Sequence, residues 1–260
     1  AATLSEGAPA AVSAVEQGRA GVQDEGSQLA ALALAGAPTR GQDTGLWLDL
    51  CAGPGGKAAL LAAMAHERGA RIVANELHPH RAELVRGTLN PGDLPDGAAP
   101  QAEVTVGDGA DLAAERPDAF DRVLVDVPCT GLGALRRRPE ARWRRQPADL
   151  ASLAPTQRSL LHAALDAVRP GGVVAYVTCS PHPAETSVVV DDVRARRDDV
   201  ELLEVAPVLR EVAPATSAAD LEPVEGARGA RATSVQLWPH VHGTDAMYIA
   251  LLRRTPQEDA

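Results

Sequence analysis

Apolar residues fall along this chain in two alternating rhythms. Short β-like runs predict seven strands: LWLDLC (46–51), RIVANE (71–76), EVTVG (103–107), FDRVLVD (120–126), GVVAYVTCS (172–180), VELLEV (200–205) and AMYIALLRR (246–254). Longer stretches with helical spacing predict helices from about Gly56, near 79–90, near 155–168 and near 184–196, with a long loop after the fourth strand. Strands alternating with helices imply an α/β fold, a mostly parallel sheet covered on both faces. Residues 1–24, rich in Ala and Gly, read as a flexible lead or the end of an upstream region. Residues 25–256 read as one domain, with 206–235, rich in Pro, Ala and Glu, as a surface excursion.

The stretch Asp49-Leu50-Cys51-Ala52-Gly53-Pro54-Gly55-Gly56-Lys57 follows the first strand and opens a helix. Doubly wound sheets bind nucleotide-like ligands there. Gly53, Gly55 and Ala58 fit G-x-G-x-x-A, and Glu76 closes the next strand, where a carboxylate can hydrogen-bond ribose hydroxyls. Asp108, in VGDGAD after the third strand, is a further acidic group at the same edge. One strand-end carboxylate is as readily a solvated side chain as a ligand contact; repetition after successive strands favours a site. A P-loop would need a glycine at position 51 and a hydroxyl at 58, where Cys51 and Ala58 stand, so ATP chemistry is excluded. The loop alone fits a nicotinamide-dependent oxidoreductase as well as a methyltransferase.

Composition narrows the picture. A net charge of −10 argues against holding nucleic acid by global charge, and 2% aromatic residues argue against a stacking platform. With no run of eighteen apolar residues and no basic leader before an apolar block, a cytoplasmic protein without a membrane span is expected. The three cysteines, at 51, 129 and 179, lack metal-ligand spacing; free thiols and no metal are expected. Lys57 is the single lysine among 25 basic residues.

Cys129 lies three residues beyond the fourth strand and Cys179 at the end of the fifth, neighbours of the first strand in the usual doubly wound order. A lone cysteine in an apolar strand is most often a small buried hydrophobe. Two converging on a cofactor edge in polar contexts, Pro128-Cys129-Thr130 and Thr178-Cys179-Ser180, point to chemistry instead.

DLCAGPGGK, VDVPCTGLG and YVTCSPHPAET together resemble the RNA (cytosine-5) methyltransferases of the Sun/Fmu type. The likeness runs from Val22-Gln23-Asp24-Glu25 through Arg253, and Lys57 falls on the family's motif lysine. It implies a Rossmann-like class I fold with a seven-stranded sheet. It also implies S-adenosylmethionine held by Cys51, Ala52, Gly53, Pro54, Gly55, Gly56, Lys57, Glu76, Asp108 and Asp126. The family often has Asp where Glu76 stands, and His242 to Tyr248 replaces a commoner Gly-Phe-Phe ending.

Carbon 5 of cytosine is a poor nucleophile, so the ring is activated by adding a thiolate to carbon 6, covalent catalysis that divides one hard step into easier ones. DNA enzymes of this reaction use the proline-cysteine motif as nucleophile and the RNA family the threonine-cysteine motif. The resemblance therefore implies Cys179 as nucleophile and Cys129 assisting release, with Asp126 hydrogen-bonding the cytosine edge and Lys57 orienting the site.

Arg136, Arg137, Arg138, Arg142, Arg144 and Arg145 crowd a ten-residue stretch with one glutamate directly after the Cys129 loop. A charge run is usually a solvated face. Its place beside VDVPCTGLG in an acidic chain points to phosphate contacts, with Trp143 anchoring the loop or stacking on a base. The reacting base must be unstacked or single-stranded, at a cost of roughly a few kcal/mol. Ribosomal members of the family usually carry an upstream domain resembling the NusB antitermination factor, so a monomeric catalytic fragment acting on 16S ribosomal RNA is expected. Transfer RNA as substrate, a nicotinamide-dependent oxidoreductase and a non-catalytic ribosome-assembly factor stand as alternatives.

Overall fold

The computed structural model describes residues 7–41, 43, 45–89, 102–213, 221 and 228–256. Its strands are β1 (Leu46–Asp49), β2 (Arg71–Glu76), β3 (Ala102–Val106), β4 (Phe120–Asp126), β5 (Val168–Thr178), β6 (Val200–Leu203), β7 (Val235–Gln236) and β8 (Tyr248–Arg254). They form one sheet in the order β3-β2-β1-β4-β5-β8-β6, with the two-residue β7 paired to β8. The first five along that path are parallel, and β8 runs antiparallel to β5, β6 and β7. The seven expected strands are all present.

Seven helices of at least seven residues cover the sheet among the described residues. They are α1 (Glu25–Gly36), α2 (Gly56–Glu67), α3 (Pro79–Leu89), α4 (Gly109–Glu115), α5 (Pro147–Ala167), α6 (Ser187–Arg194) and α7 (Val205–Val212). Alternation along the strands divides their apolar side chains between two faces. Trp47 of β1 packs with Leu34 of α1, Leu61 of α2, Val85 of α3 and Leu209 of α7. Leu48 faces the opposite layer with Leu112 of α4, Leu161 of α5 and Val190 of α6. Trp47, Tyr176 and Phe120 are the largest fully buried side chains, so an aromatic-poor core still places its few rings at the centre. No described helix is long and apolar enough to cross a membrane.

Three elements depart from the sequence reading. Helix α1 was not expected: Ala30, Ala31, Ala33 and Ala35 are buried together with Leu29 and Leu34, so apolar positions surround the helix and leave no 3.6-residue contrast. Helix α5 begins at Pro147 and runs through Pro155, where a start was expected. The residues around Pro155 are largely exposed, so the carbonyl its ring leaves unbonded faces water. The stretch 206–235, read as a solvated excursion, instead contributes most of α7, which buries Val205, Ala206, Val208 and Leu209, and later the edge strand β7; residues 214–220 and 222–227 lie outside the described set. A Cβ on Gly36 would collide with Val212, so the glycine closing α1 lets α7 sit against it.

Arg122 of β4 fastens α1 to the sheet. Its buried guanidinium donates to the carbonyls of Leu34 and Ala37, each at 2.7 Å, and lies 5.3 Å from the centre of the Trp47 ring. These carbonyls at the helix end have no other donor among the described hydrogen bonds to side chains. Arg122→Leu should therefore strand the Ala37 carbonyl, leave Leu34 only its 3.3 Å bond from the Ala37 amide, and lower unfolding free energy by about 2 kcal/mol in urea titration.

Candidate active site

Parallel pairing carries the ends of β1, β4 and β5 to one edge of the sheet. At the end of β1 the chain turns through Gly53 and Gly55 into α2. Gly55, with φ of 116°, occupies left-handed backbone that a side chain would strain, and it caps the helix. The Glu76 carboxylate, at the end of β2, accepts from the Gly53 amide at 3.1 Å and the His78 amide at 3.0 Å. Arg81 donates to the Gly53 carbonyl at 2.7 Å. A Cβ at Gly53 would run into both Glu76 and Arg81, so this glycine is demanded by close approach. Asp108 caps α4 through the Ala110 amide and borders a cleft of about 460 Å³ shared with Asn75, Thr105 and Asp111.

Beside the loop lies a cluster of buried and half-buried ionisable groups. Lys57, in the first turn of α2, places its ammonium 2.6 Å from Asp126 at the end of β4. Burial works against that charge, but Asp126, Cys179 and Asp49 outweigh it and hold the Lys57 ammonium above its ordinary range. Asp49 is almost wholly buried; one oxygen accepts from the Cys51 amide at 3.3 Å and the other has no partner. Burial first, then the neighbouring Asp126, push its carboxyl up to about 7. The sequence reading quoted Asp49 only as part of the motif; its signal was an acid ending an apolar strand.

The sulfurs of Cys129 and Cys179 stand 3.4 Å apart. The hydrogen bond between them holds the Cys129 thiol below the usual range and the Cys179 thiol above it; burial adds to the rise at Cys179, and Lys57 opposes it. Cys51 behaves differently. It packs against the apolar layer behind β1, and burial followed by the charge of Asp49 raises its thiol well above the usual range, fitting a small core residue at the loop's root. Gly133 stitches the two cysteine loops together: its amide donates to the Cys179 carbonyl at 2.8 Å and its carbonyl accepts from Ala246 at 2.9 Å, leaving no room for a Cβ.

The six arginines divide in two. Arg136 pairs with Asp24 at 2.8 Å, Arg137 with Asp245, and Arg145 donates to the Thr130 carbonyl at 2.7 Å while pairing with Asp149. These three brace the loop against the domain. Arg138, Arg142 and Arg144 are exposed without side-chain partners among the described residues, and Trp143 between them is 80% exposed. Asp24, at the end of the segment read as a lead without chemistry, also caps α1 through the Gly26 amide and accepts from the Asp245 amide. The VQDE stretch therefore belongs to the folded unit.

A family profile described as 16S rRNA methyltransferase RsmB/F matches residues 35–253. The chain belongs to this family. Membership sets the glycine loop in a methyltransferase family and not among nicotinamide-dependent oxidoreductases. Among RsmB/F relatives, a Mycobacterium tuberculosis protein named only as a methyltransferase is 53% identical over 96% of this chain and 50% of its own. The ribosomal RNA small subunit methyltransferase B of Erwinia tasmaniensis is 32% identical over 91% of this chain and 47% of its own. The chain thus spans about half the length of these curated relatives. Among solved structures, NSun6 from Pyrococcus horikoshii shares the fold with a TM-score of 0.74 at 21% identity, covering 97% of this chain and 57% of that one. A methyltransferase homologue from the same organism gives 0.72 at 24%, covering 95% and 72%.

S-adenosylmethionine is the cofactor of such a family, and the residues here fit it. Asp108 borders the cleft at the end of β3, one buried Asp49 oxygen has no partner, and Glu76 and Asp108 supply acceptors for hydroxyl or amino groups.

The buried Asp49 carboxyl sets a stability profile. Because its folded-state pKa lies above the unfolded value, the native state binds the extra proton, and stability falls as pH rises from about 4 to 7. Asp49→Asn keeps the acceptor for Cys51 and loses this penalty. Its advantage over wild type in urea unfolding should grow across that window and level off above it, reaching on the order of a few kcal/mol.

Proposed function

We propose that this protein methylates carbon 5 of a cytosine in RNA, with 16S ribosomal RNA as substrate, through a covalent adduct on Cys179. The observation that carries this reading is the pair of thiols 3.4 Å apart, at the strand edge that also holds the Lys57–Asp126 pair. A methyltransferase acting on nitrogen or oxygen needs no nucleophilic thiol, whereas carbon 5 of cytosine must first be activated by addition of one to carbon 6.

When bound, S-adenosylmethionine supplies an electrophilic methyl group on a sulfonium. The protein's own residues do the rest. Cys179 passes its proton to the Cys129 thiolate 3.4 Å away, with the Lys57 ammonium offsetting the charge, and its sulfur adds to carbon 6 of the cytosine. Asp126, held in place by Lys57, hydrogen-bonds the ring edge as electron density shifts to carbon 5. After methyl transfer Cys129, having given up its proton to solvent, takes the hydrogen of carbon 5 as a proton; the double bond re-forms, the carbon 6–sulfur bond breaks, and the Cys179 thiolate and the methylated base are released. Arg138, Arg142 and Arg144 contact phosphates and Trp143 stacks on an unpaired base; Arg136, Arg137 and Arg145 hold the loop that presents them.

Two experiments test this. With S-adenosylmethionine and 16S-derived RNA, Cys129→Ala should accumulate a protein–RNA adduct that survives denaturation and Cys179→Ala should not. The opposite pattern would exchange the two roles, adduct formation on transfer RNA alone would change the substrate, and RNA binding without adduct or methylation would leave an assembly factor. In the second, changing Arg138, Arg142 and Arg144 together to Ala should reduce the salt slope of RNA binding by about 2, three single-strand phosphate contacts at about 0.7 each. An unchanged slope would remove this loop from the RNA interface.

A further inference from the structure

One fully buried carboxyl joins the two cysteine loops from behind. Glu185 closes the short 3-10 turn Pro183–Glu185 that follows β5. One of its oxygens accepts from the Thr130 amide at 2.8 Å and from the Gln157 side-chain amide at 3.1 Å. The other accepts from the Thr130 hydroxyl at 2.5 Å and the Ser180 hydroxyl at 2.6 Å. Gln157, on α5, also donates to the Pro128 carbonyl at 3.0 Å, and the Tyr176 hydroxyl donates to the backbone carbonyl of Glu185 at 2.8 Å. Thr130, Gln157, Ser180 and Glu185 are all buried.

The chain positions of these partners give the node its meaning. Pro128 and Thr130 flank Cys129 on both sides, and Ser180 follows Cys179. The residue after each sulfur is thus tied directly to Glu185, and the residue before Cys129 is tied to it through Gln157. No described Arg or Lys forms an ion pair with Glu185, so four neutral donors alone compensate its burial. Burying a carboxyl in this way is costly, and an apolar side chain would fill the space more cheaply. An acceptor that takes four hydrogen bonds at once, from two loops and a helix, does what no apolar side chain can: it fixes their separation.

We propose that Glu185 is a positioning residue that sets the spacing of the Cys129 and Cys179 sulfurs. It touches neither reacting atoms nor cofactor and acts through Thr130, Ser180 and Gln157. Its catalytic meaning rests on the covalent reading above, but the sulfur spacing can be read without RNA or cofactor.

The test oxidises the full chain with diamide and follows the Cys129–Cys179 disulfide by peptide mass spectrometry. In that reaction the two thiols lose two protons and two electrons, and the diazene becomes the hydrazine. Wild type should form the bond readily. Glu185→Ala should form it at least about tenfold more slowly, since misplacing reacting atoms by an ångström costs that much or more. Glu185→Gln should stay within about threefold of wild type, because its amide can donate to the two hydroxyls, which turn to accept, while its carbonyl keeps the Thr130 and Gln157 amides. This rescue separates positioning from charge. Should Glu185→Ala fail to fold, Ser180→Ala removes one contact and should slow the bond severalfold with native melting behaviour.

A wild-type chain that forms no such disulfide, or an alanine variant that forms it as fast, would overturn the proposal. In methylation assays kcat should fall in the same order as disulfide rate, with KM for S-adenosylmethionine unchanged; an undiminished kcat in the alanine variant would deny the spacing any catalytic role. Absence of methylation by wild type would instead sink the covalent reading and leave the spacing result standing.

Discussion

Side-by-side parallel pairing of β1, β4 and β5 is the constraint from which the site follows. Asp49 pairs with Leu124, and Asp126 with Val177, so the three strand ends arrive at one level. The ladder continues past the strands: the Leu50 amide donates to Leu124 at 2.9 Å and the Val127 amide to Val177 at 3.0 Å. A one-residue slip of β5 against β4 would turn every side chain of that strand to the other face and carry Cys179 away from Cys129. The alternation that buries Trp47 on one side and Leu48 on the other thus also aligns the thiols. Packing of the core and geometry of the chemistry are set by the same register.

That edge is built at a cost to stability. Asp49 is buried beside the half-buried Lys57–Asp126 pair, and charges withdrawn from water in this way seldom outperform a hydrophobic replacement of the same volume. Perturbed groups gathered at the ends of neighbouring strands, Lys57 and Asp49 beside the two cysteines, mark a functional site better than any one of them would alone. The unpartnered oxygen of Asp49 belongs to the same pattern: polar capacity that folding leaves unused is available to a ligand or a proton.

What the sequence disclosed and what it concealed have physical causes. Strands buried on both faces announce themselves as apolar runs, and the glycine turn and paired cysteine motifs stand at their ends, so the sheet and the meeting of Cys129 with Cys179 were legible. Helix α1 was not, because periodicity is a contrast signal and a helix of alanines buried on most sides has none. Helix α7 was hidden by a Pro- and Glu-rich neighbourhood, although its own eight residues are amphipathic. The arginine run was legible as a charge cluster but not as two groups. Asp24 and Asp245, which engage Arg136 and Arg137, lie more than a hundred residues away in the chain, and only the tertiary fold brings them together. Glu185 was invisible for the same reason, since its partners Thr130 and Gln157 come from other elements.

Two sulfurs at 3.4 Å also constrain how protons can move. Two thiolates in contact would repel in a poorly solvated pocket, so removing the first proton leaves a thiolate that accepts a hydrogen bond from the remaining thiol, and the second is held firmly. The hydrogen bond favours the charge on Cys129, whereas the Lys57 ammonium favours it on Cys179. That hydrogen bond and burial outweigh Lys57, so the singly ionised pair keeps its proton on Cys179 and its charge on Cys129, and in the proposed reaction the proton must cross the 3.4 Å to Cys129 as Cys179 bonds to the ring.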